Sequence, residues 1–119
     1  MIASALALRG HYPLRQHPIG LSIFKRKFRA DFYLPRLPLY PNGLAIESKR
    51  QESSGSVDEK ICFVVENIRA RCYPCPVLIV AGGKGARDGA YDWLRAQVDG
   101  FNLIAVYDLE EFASWCSRL

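Results

Sequence analysis

Apolar and polar residues alternate along two neighbouring segments in the first half of the chain. In the first segment, residues 27–34, the apolar positions are Phe28, Ala30, Phe32 and Leu34. In the second segment, residues 44–51, Leu44 and Ile46 form the apolar side. A period of two residues is typical of a strand with one buried face. We therefore predict two β-strands, joined by a proline-rich loop that ends at the turn-forming pair Asn42-Gly43.

The residues before these strands follow a weaker pattern. The apolar run at residues 1–8 predicts a helix, and residues 11–18 predict an irregular connection or a short edge strand. Residues 20–24 (GLSIF) predict a first strand. Because the chain opens abruptly within the apolar run, we expect residues 1–19 to be an incomplete N-terminal element.

A helix is predicted after the second strand of the alternating pair. Ser56 and Glu59, three residues apart, form a capping box that begins it. Its apolar side is a stripe at helical spacing: Ile61, Val64, Val65, Ile68 and Cys72. Cys62 lies among these positions, and we expect it to be a small core residue. Pro74 and Pro76 end the helix.

The remaining residues alternate between apolar runs and helices. Continuous apolar runs at residues 77–81 and 101–107 predict two strands that are buried on both faces. Asp88 and Asp108 each begin a helix after one of these strands. The order is strand, strand, strand, helix, strand, helix, strand, helix. We therefore predict an α/β fold with a mixed central β-sheet flanked by helices, in a single domain over residues 1–119.

Charge is distributed unevenly along the chain. The net charge is +4, and no acidic residue precedes Asp31. The basic residues before Asp31 are Arg9, Arg15, Lys25, Arg26, Lys27 and Arg29. A basic segment of this kind favours a polyanionic partner such as nucleic acid, although a solvated basic face explains the charge equally well.

Cysteine use and hydropathy bear on the cellular compartment. Cys72 and Cys75 have C-x-x-C spacing, but no second pair or histidine cluster completes a zinc site, so we expect structural cysteines. No apolar run is long enough to span a bilayer, and no basic region precedes the apolar start as in a signal peptide. We therefore expect a cytoplasmic protein without a membrane partner.

The two alternating strands bring polar residues together. An antiparallel pair that shares one buried face also shares the other, so Asp31, Glu47 and Lys49 are expected to converge. Two carboxylates and the backbone carbonyl of Ser48 suit Mg²⁺, or Mn²⁺ in its place. Lys49 would orient an attacking water or stabilise developing negative charge, and Gln51 would donate a hydrogen bond to phosphate or water. This is the chemistry of metal-assisted phosphodiester hydrolysis.

Three segments of the chain resemble a known family. They are RADFYLP around Asp31, GLAIESKRQ around Glu47 and Lys49, and the helix GSVDEKICFVVENI. Together they resemble the restriction-endonuclease-like PD-(D/E)xK nuclease superfamily over about residues 20–119. The resemblance implies DNA cleavage by a divalent metal held by Asp31 and Glu47, with Lys49 beside them and Gln51 as a further member.

We predict a magnesium-dependent endonuclease that acts on DNA, and two alternatives remain open. Many members of the superfamily place a further glutamate on an N-terminal helix, which this chain lacks, so a catalytically inactive DNA-binding or assembly module is the first alternative. The second is a nucleotide-binding protein that uses the glycine-rich loop at residues 82–85. A nuclease with one site cuts one strand, so cleavage of both strands would require a homodimer or a larger assembly.

Overall fold

The computed structural model describes residues 1–50, 56–82 and 88–119. Within these ranges the helices are α1 (Ile2–Ala7), α2 (Ser56–Arg69), α3 (Asp88–Ala96) and α4 (Leu109–Cys116). The strands are β1 (Leu14–Leu21), β2 (Lys27–Leu34), β3 (Leu44–Arg50), β4 (Val77–Gly82) and β5 (Leu103–Tyr107). No helix in the described ranges combines the length and the apolar character needed to cross a bilayer.

The five strands form one sheet in the order β1-β2-β3-β4-β5. The first three strands are antiparallel neighbours, and β3, β4 and β5 are parallel. Parallel neighbours need a crossover connection, which α2 and α3 supply. The predicted α/β fold with a mixed central sheet and flanking helices is therefore confirmed.

Helices cover both faces of the sheet. On the first, the α2 face, Ile61, Val65 and Leu94 of α2 and α3 pack on the sheet. On the second, the α4 face, α1 and α4 contribute Ile2, Leu6, Phe112, Trp115 and Cys116. Residues of β4 alternate between the two clusters and are buried in both. This is why the sequence of β4 is continuously apolar.

The first strand lies earlier than the strand predicted at residues 20–24, and it overlaps residues 11–18, for which a short edge strand was one of the two predictions. It spans Leu14–Leu21 rather than residues 20–24, and a turn follows in which the Ser22 N–H donates to the Arg26 carbonyl at 2.8 Å. As an edge strand, β1 is exposed at most of its residues. It therefore carries no apolar alternation that the sequence could reveal.

Two core assignments around α2 are wrong. Cys62 is exposed, and Cys72 lies beyond the end of the helix at Arg69. The helix ends in a Schellman motif, in which Arg71 has a φ of 60° and the Cys72 N–H donates to the Asn67 carbonyl at 2.9 Å. The chain therefore turns away from the helix axis before the prolines, and the apolar stripe stops at Ile68.

The start of α4 is as predicted. Asp108 accepts a hydrogen bond from the Glu111 N–H at 2.7 Å, and the Glu111 carboxylate accepts one from the Asp108 N–H at 3.0 Å. These bonds satisfy two amides that the helix itself leaves without partners. The equivalent capping residues of α2 and α3 have side chains outside the described part of the structure.

Candidate active site

The strands β2 and β3 separate part-way along their length. They are paired from Leu34 and Leu44 to Phe32 and Ile46. Beyond that point β2 continues beside β1, whereas β3 continues beside β4 as far as Arg50. We call the place where they part the fork, defined by residues 31 and 47–49. Backbone amides at the fork need partners other than the β2–β3 ladder.

Two carboxylates supply those partners. The Asp31 N–H donates to Glu47 Oε1 at 2.7 Å, and the Ser48 N–H donates to Asp31 Oδ2 at 2.8 Å. Each strand thus gives one side-chain acceptor to a backbone amide of the other. The bonds to charged acceptors are of the stronger kind. They fix both carboxylates inside the fork.

The apolar side chains of β2 do not all lie on one face of the sheet. The sequence predicts Phe28, Ala30, Phe32 and Leu34 on one face, but Phe28 and Ala30 pack in the α2-face core and Phe32 and Leu34 in the α4-face core. The change occurs at Asp31, where β2 leaves β3. The side of β3 that holds Glu47 is also buried rather than polar and open, because helices cover both faces of the sheet.

Glu47 is a buried acid, with only 4% of its surface exposed. Its Oε2 accepts a hydrogen bond from the Tyr73 hydroxyl at 2.6 Å. Burial raises the pKa of Glu47, and the nearby Asp31 carboxylate adds to this. The Tyr73 hydroxyl, the Asp31 N–H and the Lys49 ammonium act in the opposite direction and lower the pKa.

Tyr73 reaches Glu47 from the connection between α2 and β4. The Schellman motif turns the chain back, and Pro74 favours an extended conformation at Tyr73. The ring is buried and meets the Phe28 ring edge to face, with centroids 5.3 Å apart. Burial and the Glu47 charge raise the pKa of Tyr73 far above its usual value. No sequence pattern predicts this contact, because a tyrosine in a C-x-x-C turn has no periodicity around it.

Asp31 is the more open of the two acids. Lys49 Nζ lies 4.0 Å from Asp31 Oδ2, and the two side chains are 20% and 27% exposed. The Gln16 amide donates to Asp31 Oδ1 at 3.4 Å from β1, where Gln16 has a φ of 49°. Sequence reasoning missed Gln16, since it lies in the edge strand without alternation. The open side of the site therefore combines an acid, an amine and an amide.

Comparison with known proteins bears directly on this arrangement. A family model described as a PD-(D/E)XK nuclease superfamily domain matches residues 4–119. The chain belongs to this superfamily. No curated protein sequence and no solved structure matches the chain. Membership of the PD-(D/E)XK superfamily supports a nuclease-type function on nucleic acid, and divalent metals are typical of such enzymes.

The structure brings together three of the side chains expected from the superfamily pattern. Asp31, Glu47 and Lys49 meet at the fork, together with the backbone of Ser48. Gln51 lies outside the described residues. The glycine-rich loop of the nucleotide-binding alternative lies outside them too, apart from Gly82.

The cysteine pair of the C-x-x-C segment forms no disulfide in the structure. Cys72 and Cys75 are free and partly buried. Burial raises the pKa of the Cys75 thiol to about 11, although a hydrogen bond with the Ala45 backbone lowers it. A protonated thiol is a poor nucleophile and a poor metal ligand.

The fork has the donor set of a hard divalent cation. Two carboxylates face one ammonium group at the fork, which leaves one negative charge in a partly buried place. Each carboxylate oxygen has two lone pairs, and the hydrogen bonds to Glu47 use one on each oxygen. Since the N–H and C=O of a strand residue point to the same side, the Ser48 carbonyl also faces the β2 side.

Within the described ranges, no three Asp, Glu, His or Cys side chains gather to hold a metal. Mg²⁺ suits such a site, because it takes one or two carboxylates and completes its shell with water and phosphate.

The hydrogen bond from the Ser48 N–H to Asp31 can be tested by comparing the stability of two Asp31 variants. Asp31→Ala leaves the Ser48 N–H without its acceptor, whereas Asp31→Asn keeps a side-chain oxygen there and removes repulsion with Glu47. We expect Asp31→Ala to lower the free energy of unfolding by about 1–2 kcal/mol more than Asp31→Asn. Urea unfolding of both variants measures the difference.

Asp92, an exposed residue of α3, is the matched control. At this position we expect Asp92→Ala to be more stable than Asp92→Asn, because alanine is a better helix former than asparagine by about 0.6 kcal/mol. Equal stability of the two Asp31 variants would contradict the bond that the structure places at the fork.

Proposed function

We propose that the protein is a metal-dependent endonuclease that hydrolyses phosphodiester bonds of DNA. The observation that carries the proposal is the fork. There the carboxylates of Asp31 and Glu47 each accept a hydrogen bond from a backbone N–H of the other's strand, and Lys49 lies beside Asp31. An arrangement that is buried on one side and open on the other suits a polar substrate that approaches from solvent. Superfamily membership supports the same class of reaction.

In this proposal each residue at the fork has one task. Asp31 and Glu47, with the Ser48 carbonyl, hold Mg²⁺ or Mn²⁺. The bound cation supplies charge neutralisation at the phosphate and makes water a stronger nucleophile. Lys49 donates from the open side, where it orients the attacking water or stabilises negative charge on the phosphate. Gln51 is proposed as a further hydrogen-bond donor.

The DNA partner is supported by the charge of the hairpin that carries Asp31. We call residues 14–34, which contain β1, β2 and their turn, the basic hairpin. Its exposed basic residues are Arg15, Lys25, Arg26, Lys27 and Arg29. Between described side chains, none of these five forms an ion pair. Positive charge along the hairpin that carries Asp31 is suited to contacts with the phosphate groups of DNA.

The basic hairpin is held in place at its tip. The Ile23 N–H donates to Asn67 Oδ1 at 2.9 Å, and Asn67 is buried in α2. The Phe24 ring stacks on the Phe63 ring of the same helix, with centroids 5.5 Å apart. A hairpin whose backbone is already fixed presents its charges at a lower ordering cost on binding.

The number of proposed sites bears on how many copies of the protein would cut a duplex. We propose one nuclease domain over residues 1–119, which cuts one strand at a time. Two copies would then be needed to cut both strands of a duplex. The four cysteines are free in the structure, which suits the reducing cytoplasm that we propose as the location.

A plasmid-nicking assay tests the proposed activity. Supercoiled DNA is incubated with the protein and Mg²⁺, with Mn²⁺, and with EDTA. We expect nicking with either ion and none with EDTA. Asp31→Asn and Lys49→Met should each lower the rate by about 100-fold or more. Asp31→Asn removes the charge of a proposed metal ligand, and Lys49→Met removes the group proposed to orient the water or stabilise the phosphate. Asp92→Asn and Glu66→Gln, which change exposed acids on helices, should leave the rate unchanged.

The outcomes separate the proposal from its alternative. Nicking that survives both Asp31→Asn and Lys49→Met would contradict the assignment of the site. DNA binding without nicking under any metal condition would favour a catalytically inactive DNA-binding module of the same fold.

The role of the basic hairpin predicts a change in salt dependence. The double variant Lys27→Ala/Arg29→Ala should weaken duplex binding, because fewer phosphates are neutralised by the protein. The slope of log affinity against log salt should become less steep by about 0.9 for each phosphate that the variant no longer neutralises. Fluorescence anisotropy of a labelled duplex in EDTA measures both quantities without cleavage.

The control is Arg95→Ala/Arg118→Ala, which removes two exposed charges outside the basic hairpin, one from α3 and one from the residues after α4. Its salt slope should equal that of the wild type. If the two double variants reduce the slope equally, the charge of the whole protein rather than the basic hairpin binds DNA.

A further inference from the structure

Among the described residues, Tyr73 of the C-x-x-C turn makes the shortest hydrogen bond to Glu47, the buried acid of the fork. The Tyr73 hydroxyl lies 2.6 Å from Glu47 Oε2, while the Asp31 N–H lies 2.7 Å from Oε1. Both oxygens of Glu47 are thus held by donors on different elements. With 7% and 4% of their surfaces exposed, Tyr73 and Glu47 are shielded from water that could replace the bond.

Two donors on opposite oxygens fix the plane of a carboxylate. A single donor would leave the group free to rotate about its Cγ–Cδ bond, and Oε2 would be a buried acceptor without a partner. Groups behind a metal ligand orient it in the same way, and their loss weakens metal binding. The position of Tyr73 is itself fixed, because its ring packs against Phe28 of β2, three residues before Asp31.

We propose that Tyr73 is a positioning residue, which acts through Glu47 by fixing its carboxylate for the divalent cation. The inference rests on the proposed function, since it assumes that Glu47 holds that cation. The connection between α2 and β4 then serves to deliver a hydroxyl to the fork. Its two cysteines lie on either side of Tyr73 in the sequence and carry no chemistry of their own in this proposal.

Metal titration without DNA tests the proposal. Tyr73→Phe removes the hydroxyl and keeps the ring that packs on Phe28. Isothermal titration calorimetry with Mn²⁺ should give an affinity about 10- to 100-fold weaker than that of the wild type. Tyr91→Phe, a half-buried tyrosine of α3, is the matched control and should bind Mn²⁺ like the wild type.

A second measurement needs no metal. If Tyr73 acts through Glu47, the shift in urea midpoint caused by Tyr73→Phe should shrink when Glu47 is already replaced in Glu47→Gln, because the charged acceptor is gone. An unchanged shift would overturn the proposal, and so would wild-type affinity for Mn²⁺ in Tyr73→Phe. Wild-type protein that binds neither Mn²⁺ nor Mg²⁺ would overturn the proposed function, and this inference with it.

Discussion

The structure depends on a reciprocal pair of hydrogen bonds between neighbouring strands. At the fork the backbone ladder of β2 and β3 stops, and the carboxylates of Asp31 and Glu47 accept from amides of the opposite strand. These bonds serve the fold and the site at once. They satisfy amides that the separating strands leave without partners, and they hold two acids close together.

Holding two acids together is costly, and the surroundings offset only part of the cost. Burial raises the pKa of Glu47, which means that the fold disfavours its charged form. Tyr73, the Asp31 amide and Lys49 favour the charged form again. A divalent cation would remove the remaining imbalance. Functional sites often lower the stability of a fold, because they place charged residues where a core otherwise has apolar ones.

Sequence patterns predicted the buried elements well and the edge strands less well. The apolar run at residues 101–107 does form a strand, β5, but as an edge strand it is half-buried at three of its five residues rather than buried on both faces. The continuous apolar run of β4 and the capping pair Asp108 and Glu111 left clear signals, whereas the exposed edge strand β1 has no apolar alternation and was only one of two predictions for residues 11–18. The convergence of Asp31, Glu47 and Lys49 was also predicted, but from a shared polar face that does not exist. The fork and the Tyr73 contact arise from tertiary packing of segments far apart in the chain, which no local pattern records.

The most direct test of the proposed site is to locate the cation itself. Crystals grown with Mn²⁺ can be measured at the manganese absorption edge, so that anomalous scattering marks the ion. We expect a peak at the fork, bonded to carboxylate oxygens of both Asp31 and Glu47 at about 2.0–2.2 Å. A manganese peak elsewhere on the chain, with none at the fork, would contradict the proposal.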